Sequence, residues 1–265
     1  MKLTRIGGPT VLVEFDGWRI LLDPTFDAPG RRYSFGWGTA SRKTLGPALA
    51  VDELGPIDLA LVSHDHHADN LDDAGRTLLP SVGAVLTTAS GAGRMSRQMP
   101  LPNLHGLRAG ERVVLPGGEA DRPALEITAT PCRHGPPLFH PIVGDVIGFA
   151  IRRAGESRVS LWVTGDTVPF SALRRAAAEM EIDVAVVNVG GVRFGITGPL
   201  RYTLNGREAV ELVDLAGPRV VAFAHYDGWS HFRDGEHGLR RALDGAAASV
   251  RDRARWLTDG VAVDV

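Results

Sequence analysis

The run Ile57-Asp58-Leu59-Ala60-Leu61-Val62, followed by Ser63-His64-Asp65-His66-His67-Ala68-Asp69-Asn70, decides how the rest of the chain is read. Its first half is a short apolar segment of strand type, and Leu71 to Leu79 beyond it suits a helix. Three histidines and two aspartates therefore fall in a strand-to-helix loop. Imidazoles and carboxylates crowded together are costly to bury unless a cation shares them. Zn²⁺ accepts both ligand types, and loops at strand ends can gather such ligands from distant parts of a sequence. Three further apolar runs end in the same way: Thr130 leads to His134, Val163 leads through Gly165 to Asp166, and Ala224 leads to His225. Either histidine alone reads as a surface or structural residue. Four ligand-bearing strand ends in one chain read as one site.

Outward from that loop, Thr10 to Phe15 and Trp18 to Leu22 have β-type composition and are separated by Asp16-Gly17, a two-residue hairpin signal. Asp23-Pro24 stops the second strand, and a glycine-, arginine- and aromatic-rich stretch to about Pro47 reads as a long functional loop. Further strands are expected at 83–88, 112–115, 125–130, 146–152, 159–163, 183–189, 219–224 and 261–265. Helices are expected at 170–180, 205–215, 236–243 and 246–256. Neither an internal repeat nor a linker divides the chain, so residues 1–265 read as a single domain.

Composition narrows the function. The 29 basic residues nearly balance the 31 acidic ones, for a net charge of -2, which argues against a nucleic-acid or anionic-membrane binder. A single cysteine, Cys132, excludes an intrachain disulfide framework and a cysteine-rich zinc ribbon. The N-terminus lacks the apolar core of roughly 7 to 15 residues of a secretory signal, and no run approaches the ~20 apolar residues of a membrane span. The expectation is a cytoplasmic protein without an integral membrane segment, acting on a small molecule, with homo-oligomerisation left open.

The segment LVSHDHHADNLD at 61–72 resembles the first metal motif, H-x-H-x-D-H, of the metallo-β-lactamase superfamily. TPCRHGPP at 130–137, VTGDT at 163–167 and AFAHYDGW at 222–229 are similar, in order and spacing, to its third histidine, bridging aspartate and final histidine. Asp23-Pro24 after the second strand also matches. The branch it most resembles contains L-ascorbate-6-phosphate lactonase and the N-acyl-phosphatidylethanolamine phospholipase D relatives. The resemblance spans nearly the whole chain and implies an α/β fold: a four-layer αββα sandwich of two mixed sheets flanked by helices.

The motif departs from the pattern. With His64 held fixed, the second histidine is His66, but the aspartate position falls on Ala68 and the last histidine on Asp69. With the downstream Asp-Asn-Leu-Asp held fixed, His67 is the second histidine, Asp69 the aspartate, Asn70 replaces the last histidine, and one residue is inserted. The second register keeps a carboxylate in the second site and is preferred. The resemblance then implies one metal held by His64, His67 and His134, a second held by Asp69 and His225, and Asp166 bridging both, with His66 competing for a ligand position. Asn70 would be a poor ligand for Zn²⁺ or a cap for the following helix. Asp23 and Asp65 are expected to orient ligand histidines by accepting their second N–H.

Such a site, holding one or two Zn²⁺ ions with Mn²⁺ or Fe²⁺ as alternatives, implies hydrolysis of an ester, lactone, amide or phosphodiester by metal-activated hydroxide. Asp69 and Asp166 would be its catalytic carboxylates. No G-x-S-x-G serine elbow is present. Arg31, Tyr33, Trp37, Arg193, Tyr226, Trp229 and His231 are candidate substrate contacts, the arginines suiting a phosphate or carboxylate. A mononuclear iron oxygenase of the same fold and a degenerate, non-catalytic binding protein remain open alternatives. Cys132 reads as a small core residue.

Overall fold

The chain begins with the meander β1 (Lys2–Gly7), β2 (Thr10–Phe15) and β3 (Trp18–Leu22). The β2–β3 turn at Asp16-Gly17 has φ of 47° and 76°, the paired positive values of a tight hairpin. This computed structural model describes residues 1–101, 103–118, 122–136 and 143–265. A small hairpin, β4 (Arg32–Gly36) and β5 (Thr39–Arg42), follows within the stretch expected to be a structureless loop. Its pattern is too short and too exposed to read from sequence, and only Tyr33 and Ser41 in it are buried.

The first sheet continues through β6 (Leu59–Leu61), β7 (Ala84–Thr88) and β8 (Leu104–Leu107), all parallel to β3. The second sheet contains β9 (Arg112–Leu115), β10 (Leu125–Pro131), β11 (Ile147–Arg153), β12 (Val159–Val163), β13 (Ile182–Asn188), β14 (Val220–Ala224) and β15 (Ala254–Arg255). Finally β16 (Ala262–Asp264) returns to pair with β1. Among the described residues the orders are β16-β1-β2-β3-β6-β7-β8 and β15-β14-β13-β12-β11-β10-β9.

Apolar side chains from both sheets share one core, including Leu3, Val13, Ile20 and Leu61 from the first and Ile127, Phe149, Leu161 and Val186 from the second. Helices α1 (Asp73–Leu78) and α2 (Ala89–Gln98) are joined to clusters on the other face of the first sheet, where Met95 meets Val85 and Leu71. On the second sheet, α3 (Ser171–Glu179), α4 (Gly206–Ala216), α5 (Gly235–Asp244) and α6 (Ala248–Arg251) bury Leu173, Leu212, Leu239 and Val250 against Trp162, Val187 and Phe223. The result is the expected αββα sandwich, in which strands apolar on both faces serve an inner and an outer core.

Sequence reading misses β1, β8 and α2, and it overextends one helix. Helix α2 is rich in glycine, serine and arginine and buries only Gly91 and Met95, so its stability comes from packing and from the Thr88 cap rather than propensity. The helix expected over 246–256 ends at Arg251, and Ala254–Arg255 pairs with β14 instead.

Candidate metal centre

Topology explains why four remote segments meet. Strands β12, β13 and β14 are parallel, and β10 and β12 each run antiparallel to β11, so β10, β12, β13 and β14 all end at one edge. In the other sheet β3 and β6 are likewise parallel, so Asp23 and His64 leave from a common edge. Hydrogen bonds between the sheets align the two edges: Ile147 N donates to the Ser63 carbonyl at 3.1 Å and His225 N to the Gly8 carbonyl at 2.7 Å. Parallel strand ends form the crevice in which open α/β sheets bind ligands.

The backbone is bent to serve this edge. Asp23 and His225 hold φ of 38° and 60°, values uncommon outside glycine and worth about 1–3 kcal/mol of strain each. Gly165, just before Asp166, has φ of 60°, and a Cβ there would lie 2.6 Å from the Ile147 carbonyl oxygen. Only glycine fits this position without a backbone shift.

Two groups of ligand atoms, each within 4.8 Å of one another, are built around Asp166: His64 with His134 and Asp166, and Asp69 with Asp166 and His225. His64, His66 and His67 form a third. His64 Nε2 and His67 Nδ1 face each other at 3.1 Å, while His66 Nε2 donates to the Val143 carbonyl at 2.5 Å. The Tyr202 carbonyl accepts from His134 Nδ1 at 2.8 Å, and the Val189 carbonyl lies 3.3 Å from His225 Nδ1. These contacts leave the Nε2 of both rings for the site.

Asp166 Oδ1 accepts from Asn188 Nδ2 at 3.0 Å, but its Oδ2 is buried with no hydrogen-bond partner among the described residues, as are Asp69 Oδ1 and His225 Nε2. His225 Nε2 lies 3.3 Å from Asp166 Oδ2 and 3.4 Å from Asp69 Oδ2. Buried polar atoms are ordinarily partnered, so unsatisfied carboxylate and imidazole atoms converging on one point fit a cation.

The polar surroundings differ in part from the roles expected. Among the described residues Asp23 touches no histidine: Oδ1 accepts the Ser63 backbone N–H at 2.6 Å and Oδ2 accepts from Asn70 Nδ2 at 3.2 Å. It acts on His64 through Ser63, whose Oγ lies 3.0 Å from His64 Nδ1. Asp65 pairs with Arg94, with its Oδ2 3.0 Å from Nε, and stands 3.8 Å from His66 Nδ1. The cap of α1 is Asp72, which accepts from Gly75 N, rather than Asn70. His231, read as a substrate contact, donates from Nε2 to Asp69 Oδ2 at 2.9 Å and accepts from Ser41 Oγ through Nδ1 at 2.5 Å. Asn188 was missed by sequence reading, although as the last residue of an apolar strand it carries the same signal as the other site residues.

Burial and neighbouring imidazoles hold His64 and His67 well below the usual imidazole range, and burial also lowers His134. All three are neutral and ready to ligate. Burial opposes ionisation of His225, yet the Asp166 and Asp69 carboxylates raise it to about 9. Burial likewise opposes ionisation of Asp69, and His225 and His231 nevertheless hold it well below the carboxylate range. Asp23 is pushed up to about 7, chiefly by burial. Cys132 is half-buried, desolvation raises its thiol well above the ordinary value, and its Sγ donates to the Thr164 carbonyl at 2.9 Å.

A cavity of about 230 Å³ opens onto this centre, with His67, Asp69, His134 and His231 on its polar side. Its walls are Phe35, Trp37, Val192, Phe194, Ile196 and Tyr202, joined by Val143, Gly36, Thr39 and Thr197. Of the expected substrate contacts, Trp37 and His231 line it; Arg31, Tyr33, Arg193, Tyr226 and Trp229 are not among the described lining residues. Arg31 is paired with Asp73, Tyr33 packs on Trp229, and Tyr226 lies under the Arg5 guanidinium.

Comparison with known proteins agrees with this architecture. Residues 18–226 match the family described as the beta-lactamase superfamily domain. A protein of Caldivirga maquilingensis named a metal-dependent hydrolase is 27% identical over 93% of this chain and 91% of its own length. One of the same name from Carboxydothermus hydrogenoformans is 26% identical over 86% of each. Among solved structures, an isothiocyanate hydrolase from Delia radicum gut bacteria and a possible metal-dependent hydrolase from Veillonella parvula each superpose with a TM-score of 0.79. Each is 18% identical and covers 100% of this chain and 99% of its own. With the family match spanning most of the chain and the strand-end histidines and aspartates gathered at one edge, the chain belongs to the metallo-β-lactamase superfamily.

Proposed function

We propose that this protein is a metal-dependent hydrolase of a small-molecule ester, lactone, amide or phosphodiester. The observation that carries the reading is the convergence of unsatisfied Asp69 Oδ1, Asp166 Oδ2 and His225 Nε2 beside neutral His64, His67 and His134. His64, His67 and His134 would hold one cation and Asp69 with His225 a second, with Asp166 shared and Zn²⁺ the best match to the donor set. His66 is the less suited ring, because its Nε2 donates to the Val143 carbonyl and its Nδ1 stands 3.8 Å from the Asp65 carboxylate. A cation held there lowers the pKa of water to about 7 and polarises the oxygen of the bond to be broken.

The protein's own groups then position and deprotonate. Asn188 turns the Asp166 carboxylate so that Oδ2 faces the centre, and the Tyr202 and Val189 carbonyls fix the tautomers of His134 and His225. Asp69, kept ionised by His225 and His231, accepts a proton from water rather than donating one. The loss of a histidine at Asn70 makes the second cation the weaker one, since a neutral amide replaces an imidazole.

The test is metal analysis of protein purified without chelator, followed by ester, lactone, phosphodiester and β-lactam substrates. At least one equivalent of metal and turnover abolished by Asp166→Asn are expected. Substoichiometric metal without turnover would leave a binding protein, and bound iron with oxygen uptake would make it an oxygenase.

A further inference from the structure

We infer that the substrate is an uncharged molecule bearing an aromatic or branched apolar group, gripped by Trp37 and Ile196 as its specificity-determining residues. The inference rests on the hydrolase reading of the same site and narrows it. Away from the metal ligands the cavity walls are aromatic and aliphatic, and no lysine or arginine lines it among the described residues. Residues 137–142, next to Val143 in the chain, contain neither. Arg31 is committed to Asp73 at 2.5 Å and buried Lys43 to Asp72 at 2.8 Å, and Arg193, exposed between Val192 and Phe194, is not among the described lining residues. An anionic substituent reaching beyond the metal centre would therefore lose water without gaining a counter-charge, which is costly in an apolar enclosure. An apolar ring would gain the reverse.

The aromatic wall is already assembled. Phe35 meets Phe194 at 5.6 Å between ring centroids, and Phe194 meets Tyr202 at 5.8 Å. An apolar cavity of about 150 Å³ accepts benzene, so the 230 Å³ here suits an aryl group with its scissile bond.

The mouth supplies a second, independent observation. Trp37 and Ile196 are 76% and 71% exposed, yet both line the cavity. Trp37 sits at the tip of the β4–β5 hairpin with φ of 50°, between Gly36 and Gly38 at 81° and 76°. A bulky residue in the left-handed region, with its side chain largely in water, satisfies neither the backbone nor the core. A Cβ on Gly38 would lie 3.5 Å from Ile196 Cδ1, so the hairpin tip and the Gly195–Thr197 turn meet as two lips.

The test uses metal-loaded protein and two non-hydrolysable ketones that differ at the end remote from the carbonyl, 4-methylacetophenone and 4-acetylbenzoate, in isothermal titration calorimetry. The neutral ketone should bind at least about tenfold more tightly. Trp37→Ala and Ile196→Ser should each weaken it about five- to tenfold, with circular dichroism unchanged because both side chains are exposed. Equal or tighter binding of 4-acetylbenzoate, no binding of either ketone at millimolar concentration, or variants with parental affinity would overturn the inference. The matching esters, 4-methylphenyl acetate and 4-carboxyphenyl acetate, separate it from the hydrolase reading. Ketone discrimination with no ester, lactone, amide or phosphodiester cleaved sinks that reading alone. Ester cleavage with equal kcat/KM sinks this inference alone.

Discussion

His231→Phe isolates one contact of the centre. The His231 ring is buried, donates to Asp69 Oδ2 at 2.9 Å, and stacks on Phe194 at 5.0 Å with 10° between the planes. Phenylalanine keeps the ring and its stacking but removes the N–H, leaving Asp69 Oδ2 without that donor. A buried hydrogen bond to a charged group contributes about 1.5–3 kcal/mol, and outer partners of ligand groups typically alter metal affinity by about 10–100-fold. The metal equivalent bound through Asp69 should therefore weaken about 10–100-fold, while the one bound through His64, His67 and His134 changes less than about threefold. Ser41→Ala, which removes only the hydroxyl donating to Nδ1, should have a smaller effect. Competition titration with a chromophoric chelator measures each equivalent separately. If every equivalent binds His231→Phe as tightly as the parent, Asp69 does not depend on His231 for its orientation. If the tighter equivalent is lost instead, the assignment of residues to the two positions is wrong.

His134→Ala should abolish tight metal binding, and full metal content by elemental analysis would remove His134 from the ligand set. In chelator, thermal stability should fall as pH rises from about 6.5 to 9: the contribution of raised His225 is complete below 6.5 and lost as pH rises through about 9, and that of Asp23, raised to about 7, is lost as pH rises toward 7. Below 6.5 lowered His64 and His67 oppose Asp23, because there the unfolded chain binds more protons at those two rings. A Tm that stays flat from pH 5 to 10 would contradict those burial effects. Phe149→Ala removes a ring that is 1% exposed between the sheets and should cost about 3–5 kcal/mol in urea unfolding. Iodoacetamide should alkylate half-buried Cys132 far more slowly in the native than in the unfolded protein, because its raised thiol holds little thiolate, and equal rates in both states would refute that reading.

Much of the molecule was legible because its signals are local. Strand Val220–Ala224 is apolar at every position and Val159–Val163 at all but Ser160, and the Asp16-Gly17 turn announces itself. Among the elements that escaped reading, α2 and the β4–β5 hairpin carry little of their own stabilisation and hold through contacts with distant segments.

The same division runs through the site. Ligand types and their place at strand ends are readable along the chain, because an imidazole or carboxylate after an apolar run must emerge where the sheet stops. Which ring atoms are free depends on folding, because His66 Nε2 and His67 Nδ1 are distinguished by a Val143 carbonyl 77 positions beyond His66. Folding likewise placed His231 on Asp69, 162 positions away, and walled the cavity with apolar rings rather than the arginines that a linear reading favoured. Those outcomes depend on chain segments meeting in space, where packing and desolvation act without regard to order along the chain.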